Sequence, residues 1–296
     1  MRTTSTKTPG VDSDALFIAD SLVADPDREA FAARMRGGVS VEATDLARGP
    51  WDRSALHGGP VSAMLAFGIE SQDVGRSFVV ARLTVELERV VPPHRELTLC
   101  AEVIRPGRKV QLAESLLRLD GKVVARARAL FIRQQHITLP DDPIVRPEPA
   151  PVSEGVLQTP SVAYTESYAA FHNAACEHRF VEGSWIEHGP VFVWVRMKYP
   201  LIAGLALSPL QRVAAAADFG NGVSSVVPSE NISFINPDLT VHQHRPLRGE
   251  WVGMRAKSHV DSGGVGFAES ELFDRSGRFG RSLQSLLLEQ RGDGGE

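Results

Sequence analysis

Cysteine is nearly absent. The 296-residue chain has two, Cys100 and Cys176, too few for a disulfide framework or for a zinc site built on thiolates. Long apolar runs are missing as well, and none approaches the ~20 residues that a bilayer-crossing helix needs. Met1–Asp14 is polar and lacks the apolar core of a secretory leader. No block of like charge occurs, and 32 Lys and Arg against 36 Asp and Glu leave a net charge of −4. A nucleic-acid or anionic-membrane binder needs a basic footprint that this chain does not have. There is no Gly-x-Ser-x-Gly elbow of the α/β hydrolases and no Gly-x-Gly-x-x-Gly opening a βαβ unit. What is left, 43% hydrophobic and 23% charged, is the composition of a globular protein. The expectation is a cytoplasmic protein with no membrane span and no nucleic-acid partner.

At about 150 residues per domain the length allows two domains or one large one. Residues 1–14 and the tail from Arg291 to Glu296 read as irregular ends. Between them, residues 140–160 hold six of the 19 prolines. Proline removes backbone donors and biases its predecessor towards extended forms, so this stretch reads as a linker. It divides a unit at 15–139 from a unit at 161–291.

Strand signals dominate both units. From Arg82 onward Leu83, Val85 and Leu87 alternate with Thr84, Glu86 and Glu88, the period of a half-buried strand. Leu97–Ile104, Val110–Leu119 and Lys122–Arg133 follow at hairpin spacing, with turns at Pro106-Gly107 and Asp120-Gly121. Trp251–His259, Gly264–Asp274 and Arg278–Gln290 repeat that order in the second unit. Each unit places one small-residue, apolar helix ahead of these strands. One runs from Pro60 to Glu70 after His57-Gly58-Gly59. The other starts at the N-cap Ser208 with Pro209 behind it, and Gly220 and Gly222 end it. Helices apolar nearly all round belong in a core.

The units lie over one another. Arg82–Arg89 matches Asp238–Arg245 in its Leu, Thr, Val and terminal Arg, 156 positions apart. Ala113-Glu114-Ser115 matches Ala268-Glu269-Ser270 at 155, and Gly107 and Gly121 match Gly263 and Gly277 at 156. Several matches in order at nearly constant offset indicate duplication of one unit. A helix plus an antiparallel sheet, taken twice, is an α+β pseudo-dimer.

At this point the chain resembles a family. His57-Gly58-Gly59-Pro60 before a small-residue helix, Asp218–Gly222 after one, Asn236–Val241 and Arg248–Trp251 are similar to the acyl-CoA thioesterases of the TesB-like, double-hotdog class. The likeness runs from about residue 15 to about residue 290. It implies two tandem hotdog units, each a long helix wrapped by an antiparallel sheet, an acyl-CoA substrate, no cofactor, and assembly into a homo-oligomer.

It also implies roles. Asp218 stands where the family carries a carboxylate that orients or deprotonates water. Asn236 stands where the prototype carries Thr. Gln284 matches the family's Gln in the last strand, so that the three side chains together would hold one water. Each has a plainer reading: a solvated helix end for Asp218, a turn start before Pro237 for Asn236, and an exposed strand position for Gln284. Subtracting 156 from the three gives Ser62, Val80 and Arg128, so the first unit has no such triplet and a single working site is expected. Gly58 and Gly59 would supply N–H donors to a developing oxyanion, and His57 would bind substrate or act as a structural cap.

The leading expectation is an acyl-CoA hydrolase, and the alternative is a double hotdog that binds an acyl-CoA or lipid without cleaving it. A hotdog hydratase pairs its Asp with a His a few residues on, and none follows Asp218. His242 and His244 form a His-x-His with no carboxylate placed beside it, so no metal site is expected. Trp51, Trp185, Trp194 and Trp251 read as core or cavity-lining residues.

Overall fold

The computed structural model describes residues 14–19, 28–141, 148–158, 168–228 and 231–291. Much of what the sequence marks as irregular, at 1–13, 142–147, 159–160 and 292–296, lies outside the described residues. In chain order the elements are β1 (Phe17–Ile18), α1 (Arg28–Gly37), β2 (Val39–Ala43), α2 (Gly58–Glu70), β3 (Phe78–Leu87), β4 (Glu96–Arg105), β5 (Val110–Leu119) and β6 (Lys122–Arg133). They continue as β7 (Val156–Gln158), β8 (Cys176–Glu182), β9 (Val191–Met197), α3 (Pro209–Ala217), α4 (Gly220–Val223), β10 (Ile232–Ile235), β11 (Asp238–Gln243), β12 (Val252–Val260), β13 (Val265–Asp274) and β14 (Gly277–Gln290). No helix among the described residues is long and apolar enough to cross a membrane.

Among the described residues the strands form one sheet in the order β1-β2-β4-β5-β6-β3-β11-β14-β13-β12-β9-β8-β7, with β10 alongside β14. The two arms meet where β3 pairs antiparallel with β11. The register there is self-complementary: Thr84 lies opposite Thr240, Glu86 opposite Asp238, and Arg82 opposite His242. Thr84 and Thr240 are the pair that the 156-residue offset equates, and their hydroxyls are 3.4 Å apart. A strand paired antiparallel with its own copy at its own midpoint defines a pseudo-two-fold axis. The duplication read from sequence is therefore a symmetry of the sheet, and the architecture is the double hotdog.

The sheet wraps two buried helices. Every α2 position from Gly59 to Ile69 except Phe67 is buried, and α3 is buried along most of its length. Ser208 starts α3 by accepting the Gln211 N–H, while the Gln211 side chain accepts the Ser208 N–H in return. This capping box and Pro209 fix where the helix begins. The two helices pack antiparallel, so the start of each meets the end of the other. At one end a Cβ on Gly59 would stand 2.7 Å from the Ala215 carbonyl oxygen, so only glycine allows the helices to approach this closely. At the other end the Glu70 carboxylate accepts hydrogen bonds from Ser208 Oγ (2.6 Å) and Gln211 Nε2 (2.9 Å).

A second, smaller core lies on the outer face of the second arm. Strand β9 is buried on both sides: Val191, Val193 and Val195 face the main core, while Phe192 and Trp194 join Phe273 outside. Part of the proline-rich segment covers this patch. Ala150 packs on it, the Ser153 carbonyl accepts the Trp194 indole N–H, and Glu148 pairs with Arg255.

Two predictions follow from these contacts. Trp194→Ala removes the largest fully buried side chain of the outer core and is expected to cost about 3–5 kcal/mol, measured by denaturant unfolding. The second concerns pH. Burial raises the Glu70 carboxyl from 4.5 to about 7, against the opposing hydrogen bonds of Ser208 and Gln211. The folded chain thus holds this proton more tightly than the unfolded chain, so Glu70 contributes stability that is full below pH 4.5 and lost as pH rises through 7. Glu70→Gln should remove that decline, and its stability relative to wild type should improve by up to ~3 kcal/mol between pH 4.5 and 8. Parallel stability–pH curves for the two proteins would refute the assignment.

Candidate active site

A cavity of about 820 Å³ opens where the start of α2 meets the end of α3. Gly58, Asp218, Asn236, His57, His172 and Phe219 line it, as do Trp51, Leu87, Arg89 and Phe234.

Asp218 caps the C-terminus of α3 and is 4% exposed. A carboxylate is disfavoured at the negative end of its own helix dipole. Here the antiparallel crossing places it against the positive end of α2. The side chain of His57, which is the N-cap of α2, brings Nδ1 to 2.8 Å from Asp218 Oδ2. Gly58 has no Cβ to offer; one built there would stand 2.8 Å from both carboxylate oxygens. The remaining oxygen, Oδ1, accepts a 2.8 Å hydrogen bond from Asn236 Nδ2. His57 Nδ1 also lies 3.0 Å from the Gly59 N–H. One ring nitrogen either accepts that N–H or carries a proton directed at Asp218.

Asn236 reaches the site because a strand is broken. In the first arm β3 runs unbroken, with a register shift between Val80 and Arg82. In the second arm the equivalent stretch is split into β10 and β11, both paired with β14, with Asn236 and Pro237 between them. Proline cannot donate to the ladder, and the gap frees the Asn236 side chain to turn inward. The position 156 residues earlier is Val80, which is buried.

Gln284 is 2% exposed, but both ends of its amide are taken by backbone. Its oxygen accepts the Asn221 N–H and its nitrogen donates to the Asp218 carbonyl, each at 3.1 Å. A Cβ on Gly220 would stand 2.6 Å from that oxygen, so glycine is what lets Gln284 approach. Gln284 thus clamps the turn between α3 and α4 and is not among the cavity-lining residues; Gly59 is not either. Asn236 and His57 converge on the Asp218 carboxylate, whereas Gln284 converges on the Asp218 backbone.

The repeat offset needs one refinement. The helix N-caps, His57 and Ser208, are 151 residues apart, so Ser62 is not the counterpart of Asp218. Each N-cap side chain instead binds a carboxylate at the end of the other helix: His57 holds Asp218 and Ser208 holds Glu70. Thr84 pairs with Arg128 as Thr240 pairs with Leu283, which makes Ala129 the counterpart of Gln284. The first arm therefore keeps a half-buried carboxylate but has Val80 and Ala129 where the second has an amide each.

The sequence reading missed the cluster of rings around Phe219, of which Phe219, His57 and His172 reach the cavity. Phe219 stacks on Phe171 and lies 4.8 Å from the rings of both His57 and His178. Burial, and secondarily charge at His57, lowers His172 to about 3. Burial does the same to His178, with smaller contributions from His172, His57 and Lys198. Both are therefore neutral imidazoles at neutral pH. Single histidines outside any motif give no sequence signal. Glu70 did give one, a carboxylate closing an apolar helix just as Asp218 does. The four tryptophans divide as expected: Trp51 and Trp185 line the cavity, while Trp194 and Trp251 belong to the outer core. His242 and His244 are exposed.

Comparison with known proteins places this geometry in a family. Residues 47–132 match the family model of the acyl-CoA thioesterase N-terminal domain, and residues 140–288 match that of the C-terminal domain. No curated protein matches the chain significantly. Among solved structures, a candidate thioesterase from Novosphingobium aromaticivorans is 22% identical, with a TM-score of 0.62 over 84% of this chain and 95% of its own. A hot dog fold protein of unknown function from Alicyclobacillus acidocaldarius is 15% identical, with a TM-score of 0.64 over 85% and 93%. The acyl-CoA thioesterase II TesB2 of Mycobacterium marinum is 17% identical, with a TM-score of 0.60 over 86% and 94%. At such identities the structural likeness establishes the fold, while the two sequence models span most of the chain: the protein belongs to the acyl-CoA thioesterase family.

Proposed function

We propose that this protein hydrolyses acyl-CoA thioesters to the free acid and CoA, with Asp218 as the group that activates water. One observation carries the reading: a buried carboxylate in the wall of a cavity is fixed by His57 from one side and Asn236 from the other. With its amide nitrogen on Asp218, Asn236 leaves its carbonyl oxygen to orient a water beside that carboxylate. The water attacks the thioester carbonyl carbon and its proton passes to Asp218. Negative charge develops on the carbonyl oxygen, facing Gly58 at the start of α2, where the positive end of the helix dipole favours an anion. The C–S bond then breaks, and the proton on Asp218 goes to the sulfur. Gln284 acts through the backbone it clamps and is a positioning residue. The same reading takes 15–139 and 161–291 as the two units and 140–160 as the tie between them, with the site in their seam.

Incubation with a panel of acyl-CoAs and a thiol reagent tests the proposal, because a protein that only binds the thioester releases no free CoA. Asp218→Asn should lower kcat by roughly 10²–10⁴ while the protein stays folded, and full activity in this variant would remove the proposed role. Gln284→Ala should lower both kcat and Tm. It leaves the Asn221 N–H and the Asp218 carbonyl without their partner, at a cost of about 1–3 kcal/mol, which calorimetric unfolding will read.

A further inference from the structure

Several polar groups buried in the second arm are fully engaged. Ser224 Oγ meets the Gly220 carbonyl and Ser258 Oγ, each at 2.8 Å, and both ends of the Gln284 amide are taken. His178 differs. It is 0% exposed, and neither ring nitrogen makes a hydrogen bond among the described residues. The Trp185 indole nitrogen is also buried, and it too makes none. The two rings touch, with centroids 4.9 Å apart and planes at 79°.

A neutral imidazole has one N–H and one bare nitrogen. His178 stands nearly perpendicular to both Phe219 and Trp185, and an aromatic face can accept its N–H. The bare nitrogen is still left without a donor in either tautomer. A buried acceptor on His178 and a buried donor on Trp185 therefore stand on adjacent rings, both unpaired. Each such group costs about 1–3 kcal/mol, a loss that few groups in a folded protein carry.

Both residues adjoin the cavity at Asp218. Trp185 and Phe219 line it, while His178 is not among the lining residues. The Phe219 ring lies 4.8 Å from His178 and 4.8 Å from His57, the partner of Asp218. One ring thus links His178 to the site, and an acyl chain held there needs only a few carbons to span it. Trp185 is anchored by its backbone, whose N–H donates to Gln158 Oε1 at 3.2 Å. It sits between β8 and β9, in a loop where Gly183 and Gly189 both have positive φ. Its indole has no hydrogen bond to break when the ring turns.

We infer that His178 and Trp185 form a seat for a hydroxyl carried by the acyl group, which the indole turns aside to admit. The hydroxyl donates to the bare imidazole nitrogen and accepts the Trp185 N–H, so one atom satisfies both groups. A hydroxyl combines a donor with acceptor lone pairs. A keto oxygen has no proton for the imidazole nitrogen, and a carboxylate brings a charge into a desolvated place. A plain hydrocarbon leaves both partners unpaired. This inference rests on the hydrolase reading and adds to it the class of acyl group, a hydroxyacyl thioester.

The test pairs a straight-chain acyl-CoA with hydroxyacyl-CoAs of the same length, the hydroxyl placed at successive carbons. Wild type should favour one hydroxy position over the plain ester in kcat/KM by roughly tenfold, the effect of two neutral hydrogen bonds. His178→Phe keeps a ring and removes both nitrogens, and the ratio should fall to about one. Trp185→Phe removes only the N–H and should lower the ratio by roughly threefold; it decides the matter if His178→Phe does not fold. A role in packing alone would slow both esters together and leave the ratio as it was. A wild-type ratio near one at every position, or a ratio that survives the substitutions, overturns the seat. If wild type cleaves neither kind of ester, the hydrolase reading fails, and the seat is then judged by calorimetric titration with the same esters. Tighter binding of one hydroxyacyl-CoA that is lost in the variants supports it. Equal binding of hydroxylated and plain esters, or no binding of either, overturns it.

Discussion

The centre of the molecule depends on two buried helices packed antiparallel. An α-helix leaves unpaired N–H groups at its start and unpaired carbonyls at its end, and the corresponding partial charges are positive and negative. When α2 and α3 run in opposite directions, the start of each lies beside the end of the other. A carboxylate closing either helix is then offered the donors of its neighbour. Glu70 meets Ser208 and Gln211 in this way, and Asp218 meets His57. The sheet supports the arrangement because β3 and β11 pair about their own midpoint at Thr84 and Thr240, which forces the two arms into opposite directions.

Chemistry enters where that symmetry is broken. Both ends of the crossing hold a carboxylate, but a cavity of about 820 Å³ opens at Asp218, whereas Glu70 is enclosed by the polar cap of the facing helix. Pro237 interrupts the strand that runs unbroken as β3 in the first arm, and that interruption admits Asn236. In the last strand Gln284 stands where the first arm has Ala129. A few local changes thus separate a catalytic candidate from a structural clamp built on the same plan. One carboxylate is bonded to an amide and a histidine beside open space; the other is bonded to a hydroxyl and an amide inside a helix junction.

Much of this was legible in the sequence. Period-2 alternation in β3 and the Gly turns at 107, 121, 263 and 277 located the hairpins. Ser208-Pro209 and Gly58-Gly59-Pro60 located both helices, and the offset of Thr84 from Thr240 gave the duplication. Asp218, Asn236 and Gln284 were legible as polar residues of the second unit, and Asn236 and Gln284 lack polar counterparts in the first, where Glu70 answers Asp218. These features are local, because backbone propensity, capping and alternation act over a few residues. The sequence did not disclose that Gln284 spends its amide on backbone, that the helices crossing end to end leave Glu70 as the mirrored carboxylate, or that His172 and His178 lose their charge. Those properties arise between residues tens to well over a hundred positions apart. A hydrogen-bond partner, a dielectric environment and a neighbouring helix dipole exist for a side chain only once the chain has folded around it.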